Sequence, residues 1–196
     1  MDLSKDGDLL VTASLRGTVS VWDANTGERV ADPLLHPTRI FSARFCPDSS
    51  RLLTTGEDGQ ARLWDWRDGS LLKPPFDHPD PVYDGAFTAS GDWCLTACRD
   101  GAIRIWDCAH GGPMMPPLEV GTHAFEIRLD GTGSQAVFGR MGSEITLLSL
   151  QKFEENRRET AESLRLLAEV VAGSEVSGGS YRRLDSAAWL ERFQRQ

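Results

Sequence analysis

The chain has 196 residues and a formal net charge of −8, with 40% hydrophobic and 26% charged residues. This is the composition of a globular protein rather than a disordered one, and no stretch is apolar for the roughly 18 residues that a membrane span needs. From Gln151 onward, eight basic and eight acidic residues cancel, so the whole negative charge lies in residues 1–150. Such an acidic body repels phosphate backbones, which argues against nucleic-acid binding.

Residues 1–10 contain no basic region followed by an apolar one, so they do not resemble a secretory signal. The four cysteines, Cys46, Cys94, Cys98 and Cys108, include no C-x-x-C pair. Cys94 and Cys98 would lie about 13 Å apart on a strand, which is too far for a disulfide. We therefore expect four reduced, mostly buried thiols, which favour a cytoplasmic location.

An internal repeat of 42 residues dominates the chain. Trp22, Trp64 and Trp106 are spaced by 42 residues, and an aspartate follows each. The same spacing relates a threonine, two glycines and an aromatic position: Thr12, Thr54 and Thr96; Gly17, Gly59 and Gly101; Gly27, Gly69 and Gly111; Phe41, Tyr83 and Phe125. Three copies in strict register identify a repeat protein.

Within one period the pattern predicts short strands, taken here in chain order. Ile40–Phe45 is the first, and residues 51–65 form the second and third around an Asp58-Gly59 turn. Residues 70–72 form the outermost strand, and Pro74-Pro75 ends it. Four short strands per 42 residues, with Trp-Asp at the end of the third strand, are typical of a β-propeller blade.

The repeats at the two ends of this pattern are incomplete. The first begins at Met1, and we expect it to lack its opening strand. The last, residues 130–150, keeps the apolar positions, but Leu148 and Ser149 replace the Trp-Asp pair, as is common in a terminal repeat. The predicted fold of residues 1–150 is therefore all-β, a partial β-propeller of about three and a half four-stranded blades.

Residues 151–196 are predicted to form a small helical C-terminal tail. Residues 154–172 are rich in Glu, Arg, Leu and Ala, with apolar side chains at helical spacing, and Gly173 would end this helix. A last helix would present Trp189, Leu190 and Phe193. Two alternatives stay open: the tail docks on the propeller, or it forms a helix pair that binds a partner.

Residues 1–150 resemble bacterial WD-repeat proteins, as Leu-Trp-Asp at 63–65 and Phe-Cys-Pro-Asp at 45–48 show. The resemblance implies that each blade carries a structural hydrogen-bonded network of His, Thr, Asp and Trp. The implied residues are His36, Thr54, Asp58 and Trp64 in the second repeat, and His78, Thr96, Asp100 and Trp106 in the third. A buried indole N–H needs an acceptor, which agrees with such a network. The first repeat departs from it, because Arg16 stands at the aspartate position.

The tail is similar to the C-terminal tails of WD-repeat proteins from planctomycete-type bacteria. The similarity lies in Leu-Ala-Glu-Val-Val-Ala-Gly at 167–173 and in Leu-Asp, Trp and Glu-Arg within 181–192. Many of those proteins carry a serine/threonine kinase domain upstream. The resemblance therefore implies a setting in a larger signalling protein.

The recurring His, Thr and Asp also suggest a hydrolase triad. We interpret them as structural, because they recur once per repeat and each set ends on a tryptophan rather than a nucleophile. The sequence contains no P-loop, kinase glycine loop, G-x-S-x-G or H-E-x-x-H motif. A metal site at Asp77, His78 and Asp80 is disfavoured because the repeat already accounts for His78. We expect no enzymatic activity, no cofactor and no metal.

The recurring aromatic residues are the best candidates for binding. Phe41, Tyr83 and Phe125 lie near the start of each innermost strand, with the turn residues Glu57 and Arg99 nearby. Together they would form a partner-binding patch. The alternative is that the three rings only pack between blades.

A propeller ring closes with about four to eight blades. We therefore expect the chain to be the C-terminal part of a longer ring or, as a second hypothesis, to pair with another copy. The predicted function is a non-catalytic protein–protein interaction scaffold in a larger signalling protein, whose partner the sequence does not name. The alternatives are a propeller-based hydrolase and a regulatory fragment of a serine/threonine kinase.

Overall fold

The computed structural model describes residues 1–121, 123–133, 135–140 and 145–150. These residues form four antiparallel sheets in chain order, which confirms the all-β prediction and its propeller-like blades. The predicted helical tail, residues 151–196, lies outside the described residues. In the part of the chain that the structure covers, no helix could cross a membrane.

The strands of the four sheets follow the 42-residue period. The first sheet contains β1 (Asp2–Leu3), β2 (Leu9–Ala13), β3 (Thr18–Asp23) and β4 (Leu34–Leu35). The second contains β5 (Ile40–Phe45), β6 (Arg51–Gly56), β7 (Gln60–Asp65), β8 (Ser70–Leu71) and β9 (Phe76–Asp77). The third contains β10 (Val82–Phe87), β11 (Trp93–Cys98), β12 (Ala102–Asp107) and β13 (Leu118–Glu119). The fourth contains β14 (Ala124–Leu129), β15 (Gln135–Arg140) and β16 (Ile145–Ser149).

The outermost strand of the second sheet differs from the prediction. β8 pairs with the end of β7 through Trp64 and Leu71, and β9 pairs with the beginning of β7 through Ala61 and Phe76. Pro74-Pro75 therefore interrupts the outer strand without ending it. Proline has no N–H to donate, and an edge strand tolerates this loss.

The first sheet also differs from the prediction, because it does have an opening strand. Asp2 pairs with Val11 and Leu3 pairs with Leu10, so two residues of β1 continue the sheet beside β2. The Asp2 carboxylate also accepts a hydrogen bond of 3.0 Å from the backbone N–H of Phe45 in the second sheet. This contact anchors the short strand, which has few ladder bonds of its own.

Neighbouring sheets pack face to face, and we call each such contact a seam. At the seam between the first two sheets, Val11, Val19 and Val21 share a core with Leu52 and Trp64. The seam between the second and third sheets is built of these buried residues: Cys46, Leu53, Ala61, Leu63, Phe76, Phe87, Cys94, Trp106 and Cys108. The middle sheets therefore bury both faces, which explains why nearly every residue of β6 and β11 is buried.

The first strands of neighbouring sheets lie side by side, since β10 contacts both β5 and β14, and β5 contacts β1. The fourth strands β4, β8 and β13 make their substantial contacts within their own sheets. The described sheets therefore converge at their first strands and diverge at their outer strands, as propeller blades do.

The repeated turn glycine joins consecutive blades. Gly59 has a φ of +74°, which L side chains rarely adopt. Its carbonyl accepts the N–H of His78 at 2.8 Å, and a Cβ atom on Gly59 would lie only 2.8 Å from the His78 carbonyl oxygen. The position requires glycine for both reasons, and Gly17 and Gly101 show the same positive φ.

Candidate interaction surface

The second repeat contains a buried network across a blade. Trp64 on β7 donates its indole N–H to the Thr54 hydroxyl on β6 at 2.8 Å. His36, in the loop before β5, contacts the same hydroxyl through Nε2 at 2.6 Å. His36 Nδ1 lies 3.0 Å from the guanidinium of Arg62. Because a guanidinium can only donate, Nδ1 accepts, and Nε2 carries the proton of the neutral ring.

The third repeat repeats the network with the other histidine tautomer. Trp106 donates to the Thr96 hydroxyl at 2.9 Å, and His78 Nε2 contacts that hydroxyl at 2.8 Å. His78 Nδ1 lies 2.9 Å from the carbonyl oxygen of Phe76, which can only accept. Here Nδ1 carries the proton, so neutral Nε2 accepts from Thr96.

Burial keeps both histidines neutral. Burial, with a smaller effect of the nearby Arg62 charge in the same direction, lowers the pKa of His36 to about 4. Burial also lowers the pKa of His78 to about 4, with Arg104 contributing in the same direction. Desolvation penalises the imidazolium, and the neighbouring guanidinium repels it.

The two aspartates that the resemblance places in the network do not contact the histidines. Asp58 accepts a hydrogen bond of 2.7 Å from Arg62, which links it indirectly to His36. Asp100 accepts a hydrogen bond of 2.7 Å from Arg104. The arginine four residues after each aspartate reaches back to the turn and forms an ion pair with the carboxylate. The repeat spacing could have revealed these two arginines as partners of the aspartates, since Arg62 and Arg104 are 42 residues apart.

The first repeat keeps only part of this arrangement. Trp22 donates to Thr12 at 2.8 Å, as its counterparts do to their threonines. Both residues are half-buried, whereas the corresponding residues of the next two repeats are buried: Thr54, Trp64, Thr96 and Trp106. The indole–hydroxyl bond therefore forms even where no sheet among the described residues covers it.

The candidate partner-binding aromatics form one continuous group, which we call the aromatic row: Phe41, Tyr83 and Phe125. The ring centroids of Phe41 and Tyr83 lie 5.3 Å apart, and those of Tyr83 and Phe125 lie 4.8 Å apart. The row therefore crosses three blades without a gap. Phe41 and Tyr83 are half-buried, and Phe125 is 38% exposed. The rings contact one another across the seams and still present surface to solvent.

Charged side chains border the aromatic row. The Arg39 guanidinium lies 5.9 Å from the centroid of the Phe41 ring. The N–H of Glu57 donates to the Arg39 carbonyl, and the N–H of Arg99 donates to the Pro81 carbonyl, each at 2.9 Å. Glu57 and Arg99 thus occupy equivalent turns. Each is bonded to a residue that lies two positions before an aromatic residue of the row. Glu57 is exposed, and Arg99 pairs with Asp80 at 3.3 Å.

A second row, unnoticed in the sequence, runs along the converging first strands. We call it the charge row: Asp2, Arg44, Asp84 and Arg128, one from each sheet in alternating sign. The buried Asp84 carboxylate accepts from Arg44 at 3.3 Å, from Arg128 at 3.0 Å and from the N–H of Ile127 at 3.1 Å. Arg44 also lies 3.9 Å from Asp2, and Arg128 pairs in addition with Glu126. The row couples the four sheets electrostatically.

The four cysteines are free and buried, as predicted. Burial raises the pKa of the Cys46 and Cys98 thiols to about 11, and it also raises the pKa of the Cys94 thiol well above its usual range. Arg51 donates to the sulfur of Cys46 at 2.9 Å. Thiols of this kind pack as small apolar groups and are poor nucleophiles.

The sheets, their converging first strands and the repeated indole–hydroxyl bonds define a repeat protein built of β-propeller blades. Within that class, the chain carries WD40 repeats: the family model "WD domain, G-beta repeat" matches residues 1–23, 34–65 and 69–107. Such repeats serve in general as scaffolds for protein interaction and are typically non-catalytic. No curated protein sequence matches the chain.

Among the solved structures that match is the crystal structure of the computationally designed Ika4 protein. The two are 18% identical, with a TM-score of 0.64 over 76% of this chain and 89% of that chain. At this level of identity the likeness shows the fold alone.

Proposed function

We propose that the chain is a non-catalytic scaffold that binds a protein or peptide partner on the aromatic row. The observation that carries this proposal is the continuity of the row over three blades, with solvent access at each ring. Rigid aromatic side chains supply large contact areas at low entropic cost, and they dominate binding energies where they are found.

The charged border supports recognition of a polar peptide rather than of a purely apolar surface. Glu57 and Arg99 stand at equivalent turns with opposite charge, and Arg39 adds a second guanidinium at one end of the row. Groups of both signs around an apolar centre are typical of the polar rim of an interface. They set the register of a partner more than its affinity.

The hydrolase alternative is disfavoured by the bonding of the histidines. Both ring nitrogens of His36 and of His78 are already engaged, by a threonine hydroxyl on one side and by Arg62 or the Phe76 carbonyl on the other. A general base must lie within reach of a substrate, and the hydroxyls that these histidines contact, those of Thr54 and Thr96, are 0% exposed. These histidines are instead positioned to satisfy buried tryptophans.

The wider setting is proposed on the sequence alone. The tail's similarity to planctomycete-type WD-repeat proteins supports a place in a larger signalling protein, in some cases beside a serine/threonine kinase domain. A cytoplasmic location and the lack of nucleic-acid binding also stay predictions.

The test is a peptide-display selection against the purified chain, followed by measurement of Kd for the enriched peptides. Tyr83→Ala should weaken binding about thirtyfold, as expected when an aromatic anchor worth about 2 kcal/mol is lost. Tyr83→Phe keeps the ring and should bind nearly as well as the wild type. Leu35→Ala changes an exposed residue on the outer strand β4 and serves as the surface control.

Circular dichroism of each variant separates loss of the row from loss of the fold. Enriched peptides that bind wild type, Tyr83→Ala and Phe41→Ala equally, with all three folded, would contradict the assignment of the row. Loss of binding in Leu35→Ala alone would place the binding surface on the outer strands instead.

A further inference from the structure

The seams between described sheets show which side chains of one blade cover the tryptophan of the next. At the seam between the second and third sheets, Leu53 and Leu63 pack in one core with Cys94 and Trp106. The leucines are 0% and 1% exposed, and the tryptophan is 7% exposed. Each blade thus covers the indole of the following blade with two aliphatic side chains.

The first sheet carries an indole face that no described sheet covers. Leu10 and Trp22 lie at the positions of Cys94 and Trp106, two repeats earlier, and Thr12 lies at the position of Thr96. All three are half-buried instead of buried. The opposite face of this sheet is packed, since Val11, Val19 and Val21 belong to the core at the first seam.

The fourth sheet carries the complementary aliphatic face. Val137 and Leu147 lie at the positions of Leu53 and Leu63, two repeats later. They are 37% and 60% exposed. The side chains that elsewhere cover a tryptophan are therefore present but have nothing to cover among the described residues.

The charge row ends with opposite signs at these two faces. The first sheet ends the row with Asp2, whose side chain is 29% exposed, and the fourth ends it with Arg128, whose side chain is 54% exposed. Within the row, Arg44 lies between Asp2 and Asp84 of the two neighbouring sheets. Contact between the fourth sheet of one copy and the first sheet of another would continue the same alternation.

We propose that a second copy of this chain covers both faces head to tail, with Val137 and Leu147 of each copy packed on Leu10 and Trp22 of the other. Two such seams close two four-sheet stacks into one ring of eight, within the size range of propellers. A second copy is the occupant that these contacts favour, because one chain supplies both complementary faces and both charge signs. Closure also removes the open ends of the stack, which are liable to unwanted association.

The first experiment is light scattering after size exclusion on the full 196-residue chain over a range of concentrations. We expect a particle of twice the 21.6 kDa chain mass, in equilibrium with single copies at low concentration. A folded monomer at every concentration would overturn the proposal, and so would an open series of larger oligomers.

Variants locate the interface. Leu147→Arg alters a side chain that is exposed in the single copy, so the chain should fold, whereas the dimer should weaken roughly a hundredfold or more because both seams are affected. Leu35→Arg, on the exposed outer strand β4, is the matched control and should leave the dimer unchanged. An unaffected dimer in Leu147→Arg would overturn the proposal.

Mixing two damaged chains tests head-to-tail closure directly. Trp22→Glu alone and Leu147→Arg alone each damage both seams of a two-copy ring. Mixed together, they form one wild-type seam and one seam that joins the introduced glutamate to the introduced arginine. We expect mixed dimers to be recovered. Two folded monomers that do not associate on mixing would overturn the arrangement.

Discussion

At the scale of single residues, one threonine hydroxyl in each interior blade connects two rings. Thr54 and Thr96 are fully buried, and each accepts an indole N–H while it bonds to a histidine. The Thr96 hydroxyl accepts from Trp106 and donates to His78, whereas the Thr54 hydroxyl accepts from both Trp64 and His36 through its two lone pairs. Leaving such buried groups without partners costs more than the net value of the bonds.

Replacement of this hydroxyl therefore has a predictable effect. Thr96→Val should lower the free energy of unfolding by about 2–3 kcal/mol, because the N–H of Trp106 loses its acceptor in a buried site. Thr96→Ser keeps the hydroxyl and should lose only about 1 kcal/mol. Thr12→Val, where the pair is half-buried in the single copy and water can substitute, should cost clearly less than Thr96→Val when both are measured at concentrations at which single copies predominate. Urea unfolding compares the three, and equal losses in Thr96→Val and Thr12→Val would contradict the argument.

The two histidines make stability depend on pH. Their pKa values in the folded chain are about 4, below the value near 6.5 for an unfolded chain. The unfolded state therefore binds protons first as the pH falls. Stability is full above about pH 6.5 and decreases as the pH falls toward 4, by on the order of 2 kcal/mol for each histidine.

Urea unfolding at steps between pH 7.5 and 4.5 measures this slope. A His36→Gln, His78→Gln double variant should be less stable at neutral pH and should lose most of the slope. The control His110→Gln alters an exposed histidine on a loop and should keep the wild-type slope. A slope that persists unchanged in the double variant would assign the effect to other groups.

At the scale of the elements, the turns between strands decide where one blade ends and the next begins. The carbonyl of Gly59 bonds to the loop that leads into the third blade, so this turn fixes the connection between two blades as well as closing a hairpin. The outer strands tolerate proline better than the inner strands do. Pro74-Pro75 interrupts an edge where few hydrogen bonds are lost, and pairing resumes at Phe76.

Gly59 and Gly27 form a matched pair for testing the turn. Both have a φ near +74°, but a Cβ on Gly59 would collide with the His78 carbonyl, whereas nothing lies within 4 Å of one on Gly27. Gly27→Ala should cost only the backbone strain, about 1 kcal/mol. Gly59→Ala should cost about 2 kcal/mol more because the loop that carries His78 must also shift. Thermal or urea unfolding checks both, and equal losses would show that the collision is relieved.

At the scale of the whole described stack, the charge row connects the first strands of consecutive sheets. Asp84 on the third sheet bonds to Arg44 on the second and to Arg128 on the fourth. A buried carboxylate with two guanidinium groups and a backbone N–H is fully partnered. Removing its charge leaves Arg44 with only the more distant Asp2 and Arg128 with only the exposed Glu126.

Asp84→Asn should therefore lower the free energy of unfolding by about 3 kcal/mol. The control Asp80→Asn removes a carboxylate that pairs with Arg99 at a half-exposed site, and it should change stability by less than about 1 kcal/mol. High salt should affect the Asp84 contribution little, because buried pairs are screened weakly. Unfolding in low and high salt measures both statements.

The sequence by itself determined the fold class and the period. The 42-residue spacing of Trp22, Trp64 and Trp106, with a glycine and a threonine at fixed distances before each, is local information that survives without coordinates. It also led to the threonines and the aromatic row, because residues at one repeat position must share one place in each blade. The histidines were implied by the resemblance to WD-repeat proteins.

Only the tertiary structure decided how these residues bond. Arg62 and Arg104 take the carboxylates of Asp58 and Asp100, and the two histidines adopt opposite tautomers, because neighbouring side chains and carbonyls compete for each atom. The charge row was equally beyond the sequence. Asp2, Arg44 and Arg128 share one repeat position, but Ala86 occupies it in the third repeat and Asp84 supplies the intervening charge from another position. The four meet only because the first strands of the sheets converge. Periodicity specifies where a residue lies within its own blade, whereas contacts between blades depend on the distances that packing sets.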